Sequence, residues 1–224
     1  MPPLRTCRFS FPPPYINKEW PTQGGYASGA MYHLSATGPL KKVWSEDVGE
    51  SSSSDSRLTA SPVFGGGRIY TLDAANRITA FNPQTGDRLW KLTVAPKGHR
   101  SIRNILTFGM FGTDNRIDPT KGFGGGIAFD DGKLFVATGF GDLIALDAAK
   151  GTELWRINLG VPVFNAPIAN GGRVFVASQD NHFHAYAAAD GHELWDHQGI
   201  TESAGILVST SAAVSGQFVV IPYT

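Results

Sequence analysis

The chain has 224 residues, 42% of them apolar, and Lys plus Arg and Asp plus Glu both number 19. There is enough apolar material for one large or two small cores, and the balanced charge leaves no net field to draw nucleic acid or an anionic membrane. The one cysteine, Cys7, excludes an intrachain disulfide framework and a cluster of thiolate metal ligands.

The opening "MPPLRTCRFSFPPPYI" lacks the apolar run of roughly 7 to 15 residues that a secretory signal needs, and no stretch of about 18 apolar residues occurs anywhere. Prolines at 2–3 and 12–14 favour extended backbone, so residues 1–38 are predicted to form a proline-rich tether with little packing. Residues 39–50 carry Trp44 in "KKVWSEDVG" with no hairpin ahead of it, the pattern of an orphan outer strand that closes the ring against the last blade; Trp44 is expected to be the outlier among the repeated tryptophans. Ser51 to Ser54 read as linker, because no His and Asp are placed to activate a serine.

Residues 57–224 are repetitive. "GGGRIYTLDAANRITAF", "DDGKLFVATGFGDLIAL" and "NGGRVFVASQDNHFHAY" each hold two β-rich runs around turn residues. A shorter run precedes each ("SPVF", "GIAF", "APIA"), and "AFNPQTGDRLW", "ALDAAKGTELW" and "AYAAADGHELW" follow. From Gly67, Gly132 and Gly172 to Trp90, Trp155 and Trp195 the distance is 23 residues each time. Each unit therefore reads as a four-stranded blade. Gly86, Gly151 and Gly191 suit a positive φ in the last turn, Asp147 suits an Asx-turn, and each Trp is expected to clasp a neighbouring unit with its indole N–H needing an acceptor.

Between the first and second units, "PKGHRSIRNILTFGMFGTDNRIDPTKG" stretches the Trp90 to Trp155 spacing to 65 residues, against 40 from Trp155 to Trp195. A fourth unit opens with "STSAAVSGQFVVIPYT", where Gly216 is expected at the Gly67 position. The fold expected is all-β, a partial β-propeller of about three and a half four-stranded blades, three complete and the fourth truncated.

Other motifs are weaker. "GFGDLI" at 139–144 begins like a dinucleotide loop, but Ile144 replaces the third small residue and a strand follows where a helix is needed. His182 and His184 share a strand face, and His192 and His197 are near in sequence, but no carboxylate or Cys is seen to complete a metal set, so surface histidines are the better reading. "WD" at 195–196 stands alone. No catalytic, cofactor-binding or metal residue is predicted.

The Gly-x-x-x-Trp segments resemble the docking motif of the PQQ-type β-propeller repeat family, Ala-x-Asp-x-x-x-Gly-x-x-x-Trp. Ala80, Gly86 and Trp90 match it, as do Ala145, Asp147, Gly151 and Trp155, and Ala185, Gly191 and Trp195. Asn82 and Ala187 depart at the Asp position, so those turns are expected to lack the carboxylate contact. Within that family the segments "PPPYINKEWPTQGG", "KKVWSEDVGE", "GGGIAFDDGKLFVATGFGDLIALDAAKGTELWRINLG" and "HQGITESAGIL" are most similar to BamB-type outer-membrane assembly factors, notably the α-proteobacterial form.

The resemblance implies a ring of eight blades, so the pattern predicts the N-terminal part of a longer propeller, with a signal and lipid-acceptor Cys lying ahead of Met1. It also implies a non-enzymatic scaffold at the periplasmic side of the outer membrane, binding the periplasmic domains of BamA and the β-barrel assembly complex, with unfolded outer-membrane proteins as further clients and no cofactor. The alternatives are a quinoprotein dehydrogenase of the same superfamily, using pyrroloquinoline quinone and calcium, or a generic propeller binding module. Such dehydrogenases typically place the quinone against a vicinal disulfide, which one cysteine cannot form. Partner contacts are expected in the inter-blade loop "NLGVPVFNAP", through Val161, Val163 and Phe164, with Glu202 of "ITESAG" as a rim charge; the competing reading turns Phe164 inward to fill the inter-blade core.

Overall fold

Short apolar runs broken by paired turn residues fold into β-strands, with no helix among the residues that the computed structural model describes: 12–36, 38–52, 59–94, 124–163, 165–199 and 211–221. Blade 1 comprises β1 (Val63–Gly65), β2 (Arg68–Leu72), β3 (Arg77–Phe81) and β4 (Arg88–Thr93). Blade 2 comprises β5 (Gly125–Asp130), β6 (Lys133–Thr138), β7 (Asp142–Asp147) and β8 (Glu153–Asn158). Blade 3 comprises β9 (Ile168–Asn170), β10 (Arg173–Ala177), β11 (His182–Ala187) and β12 (Glu193–Gln198), and the hairpin β13 (Ala213–Ser215) and β14 (Phe218–Val220) opens blade 4. Each complete blade is an antiparallel meander in chain order.

The inner strands follow one another around an arc: β1 lies beside β5, β5 beside β9, and β9 beside β13. Apolar layers fill the gaps. Tyr70, Ile78 and Ala80 of blade 1 pack on Ile127, Ile144 and Leu146 of blade 2. Phe135, Leu143 and Ala145 of blade 2 pack on Val174, Val176 and Tyr186 of blade 3, and Phe175 and Phe183 of blade 3 pack on Val214 of blade 4. Period-2 alternation sends successive residues to opposite faces, so Leu143 and Ile144 serve different gaps. The result is a partial β-propeller.

A clasp ties each blade to the next. The Trp90 ring lies where a Cβ on Gly151 would come within 2.8 Å, and its Nε1 donates to the Ala148 carbonyl at 3.1 Å. Trp155 does the same with Gly191 and the Ala188 carbonyl at 3.2 Å. Trp44, expected as the outlier, makes the same contact with Gly86 and donates to the Pro83 carbonyl at 2.8 Å. The docking site is the turn of the following blade, and Trp44 needs no hairpin of its own to reach one. Trp195 is the exception: it is 39% exposed and no described glycine lies against it.

Two details of the turns depart from expectation. Asn82 replaces the Asp with its amide oxygen, accepting from Gln84 N at 2.9 Å, as Asp147 accepts from Ala149 N and Lys150 N at 2.9 Å. Ala187 has no such atom, and its turn keeps the Gly191 N to Ala187 O bond at 2.9 Å. In the fourth blade Ser215 pairs with Phe218, as Gly65 pairs with Arg68, so Gly216 occupies the Gly66 position and not that of Gly67.

The proline-rich lead-in, for which little packing is expected, is held by backbone bonds. Trp20 and Phe64 exchange N–H···O bonds of 2.7 and 2.8 Å on the free edge of β1, Phe129 N donates to Pro21 O at 2.8 Å, and Val214 N donates to Ala27 O at 2.7 Å. Tyr15 bridges to Leu34, closing the segment on itself. This strap satisfies inner-edge amides of blades 1, 2 and 4, which outweighs its weak intrinsic preference for order. Residues 39–50 run along the flank of blade 1 without a ladder, fixed at Trp44 and again where Glu50 N donates to Asp73 Oδ2 at 3.1 Å. The connection at 95–123 lies outside the described residues.

Gly151→Ala should cost about 3 kcal/mol, because strain at φ 72° adds to a clash with the Trp90 ring, whereas Gly132→Ala, at φ 74° with open space around it, should cost about 1 kcal/mol. Urea unfolding of the two variants checks this, and equal losses would mean the clasp is not a close contact. In single-Trp proteins, Trp195 should emit furthest to the red and be the most open to quencher, with Trp44 resembling Trp90.

Candidate functional site

Antiparallel meanders place the second-to-third-strand turns and the inter-blade connections on one face of the arc, and the first-to-second and third-to-fourth turns on the other. The first face is built the same way in all three blades. Each connection begins by donating its N–H to the neighbouring turn: Val94 to Asn76 O, Leu159 to Gly141 O and Gly199 to Asn181 O, at 2.8 to 2.9 Å.

The loop predicted to bind a partner is pinned between blades 2 and 3. Gly141 sits so close to it that a Cβ there would lie 2.4 Å from the Val161 carbonyl, and Gln179 N donates to Pro162 O at 3.1 Å. Val163 is fully buried in the layer between the two blades, and Val161 is half-buried. Val163 thus roots the loop, and Val161 shows surface. Phe164 and Glu202 lie outside the described residues.

A buried charge lies beneath each of these turns in blades 1 and 2. In blade 1 the Asp73 side chain is fully buried and accepts from Ala75 N, Arg77 N and Arg77 Nε at 2.9, 2.9 and 2.7 Å, with Glu50 3.4 Å from Arg77 Nη2. In blade 2 the Asp142 side chain, 2% exposed, accepts from Arg156 Nη1 at 2.9 Å and Asn158 Nδ2 at 2.7 Å. In blade 3 the equivalent positions, 40 residues on, carry the reverse arrangement: His182 where Asp142 stands and Asp196 where Arg156 stands, 3.0 Å apart. His184 Nδ1 lies 2.9 Å from Glu193 Oε1 and its ring stacks on Tyr186. Burial, reinforced by Glu193, pushes the Tyr186 hydroxyl up to about 12, so it stays neutral in the layer between blades.

The structure therefore brings carboxylates to His182 and His184 that sequence reasoning missed. The signal was present in the 40-residue register, which sets 142 against 182 and 156 against 196. His182, His184 and His192 are each engaged by a carboxylate, the last at 2.8 Å from Asp190 Oδ1, and no group of three or more His, Cys, Asp or Glu among the described residues is arranged to hold a metal ion. Gly86, Trp90, Asp147, Gly151, Trp155 and Gly191 all lie in clasps on the opposite face, and Trp195 lies on the outer strand beside Phe175 and Phe183.

Comparison with known proteins agrees with this geometry. The sequence profile of the family described as "Outer membrane protein assembly factor BamB" matches residues 27–107 and 110–224. The outer membrane protein assembly factor BamB of Alteromonas naphthalenivorans is 31% identical over 160 residues, 70% of this chain and 36% of that one. That of Nitrosomonas eutropha is 22% identical over 189 residues, 82% of this chain and 39% of that one. The chain thus spans somewhat over a third of the length of these relatives. Among solved structures, quinohemoprotein alcohol dehydrogenase from Comamonas testosteroni superposes with a TM-score of 0.55 at 23% identity, covering 80% of this chain and 27% of that one, a likeness of fold alone.

Removing one side of the buried pair in blade 2 should be expensive. Arg156→Met leaves the Asp142 carboxylate uncompensated and should cost about 3 kcal/mol, much of it recovered by adding Asp142→Asn. A double-mutant cycle by chemical unfolding measures this, and additive losses would show that the two side chains are not coupled.

Proposed function

This chain belongs to the BamB family of outer membrane protein assembly factors, and from that premise we propose that it works as a non-enzymatic scaffold of the β-barrel assembly machinery, assisting insertion of outer-membrane proteins from the periplasmic side. The observation that carries the reading is the family match, which extends over both sides of the long connection and includes every blade. A scaffold needs loops whose position is fixed by rigid sheets, and the 159–163 connection has that character, pinned by Gly141 and Gln179 and rooted by Val163.

The partner on this reading is the periplasmic part of BamA. Val161 and Phe164 supply the apolar anchor, Val163 holds them in place, and Glu202 supplies a charge at the rim.

Phe164→Ala should weaken capture by the BamA periplasmic domains about tenfold while leaving the melting temperature nearly unchanged. Surface plasmon resonance and thermal unfolding measure the two effects. Loss of stability with binding intact would assign Phe164 to the core, and absence of binding by the unaltered protein would reject the scaffold reading itself.

A further inference from the structure

The face opposite the inter-blade connections contains a cleft of about 640 Å³ that the scaffold role leaves unused. The strap forms one wall with Tyr15, Tyr26, Tyr32 and Glu19, the β5–β6 turn forms another with Asp130 and Asp131, and the inner hairpins of blades 3 and 4 close the floor. Hydrogen bonding turns two of the tyrosine hydroxyls away to strap acceptors: Tyr15 donates to the Met31 carbonyl at 3.2 Å and Tyr26 donates to Asn17 Oδ1. The rings remain as lining.

The carboxylates are weakly compensated. Glu19 accepts only a long bond from Gly66 N and Asp130 one from Gly172 N, both 3.4 Å, and among the described residues none of the three acids forms an ion pair. Burial pushes the Asp130 carboxyl up, and Asp131 and Glu19 add to this against the Gly172 amide and Lys133. Desolvation likewise raises Tyr15, with Tyr26 and Tyr32 adding, as expected of three phenols gathered at one place. The acids are not grouped to hold a metal ion. Three phenol rings beside three carboxylates, in a space of this size, instead suit a larger cation with apolar surface.

We propose that this cleft binds an organic cation, an ammonium or guanidinium group on an aliphatic stem, with the tyrosine rings against the stem and charge and the carboxylates of Glu19, Asp130 and Asp131 accepting its N–H groups. The cation is either a free polyamine or a basic side chain on a peptide, and the chemistry recognised is the same.

Saturation-transfer NMR and calorimetry with spermidine, and separately with a capped peptide carrying one arginine, test this on the whole chain. Saturable binding is expected for at least one probe and none for succinate; the probe that binds identifies the source of the cation. Tyr32→Ala, at a residue 78% exposed, should weaken binding by about fivefold, and Glu19→Gln with Asp131→Asn by about tenfold, with melting temperatures unchanged. Asparagine tolerates the φ of 44° at position 131, so the second variant retains the turn. Absence of saturable binding by both probes, equal affinity in the variants, or equal binding of succinate would overturn the proposal.

Discussion

The docking of one indole over one glycine decides whether these sheets form a propeller at all. A single blade exposes apolar side chains on both faces and cannot bury them alone. Stacking removes that surface from water but does not fix how far one sheet slides past the next. The Trp–Gly contact does: the ring occupies the volume a Cβ would need, and the indole N–H finds a carbonyl of the same turn, at Pro83, Ala148 and Ala188 in succession. Shape and hydrogen bond specify one register together. The apolar layers, the inter-blade loops and the alignment of inner strands that the strap spans all follow from it.

The blades were legible because their constraints are local. A turn that needs positive φ selects Gly, a pleated sheet selects alternation, and both recur at a constant 23-residue separation from the Trp. The partner of each Trp was not legible, because it lies 36 to 61 residues further on and is a glycine, a residue whose absent side chain leaves no pattern of its own. Trp44 was misjudged for that reason: its own surroundings contain no repeat, yet Gly86 awaits it. Asn82 was read by charge when the turn requires only an acceptor oxygen.

Long-range pairing hid the remainder. Proline near the N-terminus argues for extended backbone, and extended backbone is also what an unsatisfied strand edge can bind; Trp20, Pro21 and Ala27 meet such edges. The two faces of the arc acquire different characters as a result. One carries connections pinned over the Asp73 and Asp142 ion pairs, and the other carries the clasps, the strap and the tyrosine-lined cleft. The loop through Val161 and the cleft beside Asp131 therefore lie on opposite faces, and occupation of one leaves the other accessible.

The clasps all point the same way along the chain, from the outer strand of one blade to a turn of the next, and this sets an order in time. During synthesis each tryptophan emerges from the ribosome ahead of its glycine. Trp155 waits 36 residues for Gly191 and Trp90 waits 61 for Gly151, intervals of roughly 2 to 12 s at the usual elongation rates of about 5 to 20 residues per second. Throughout that interval the newest blade presents a bare indole, so a nascent propeller of this kind always has one sticky end, and it is always the C-terminal one.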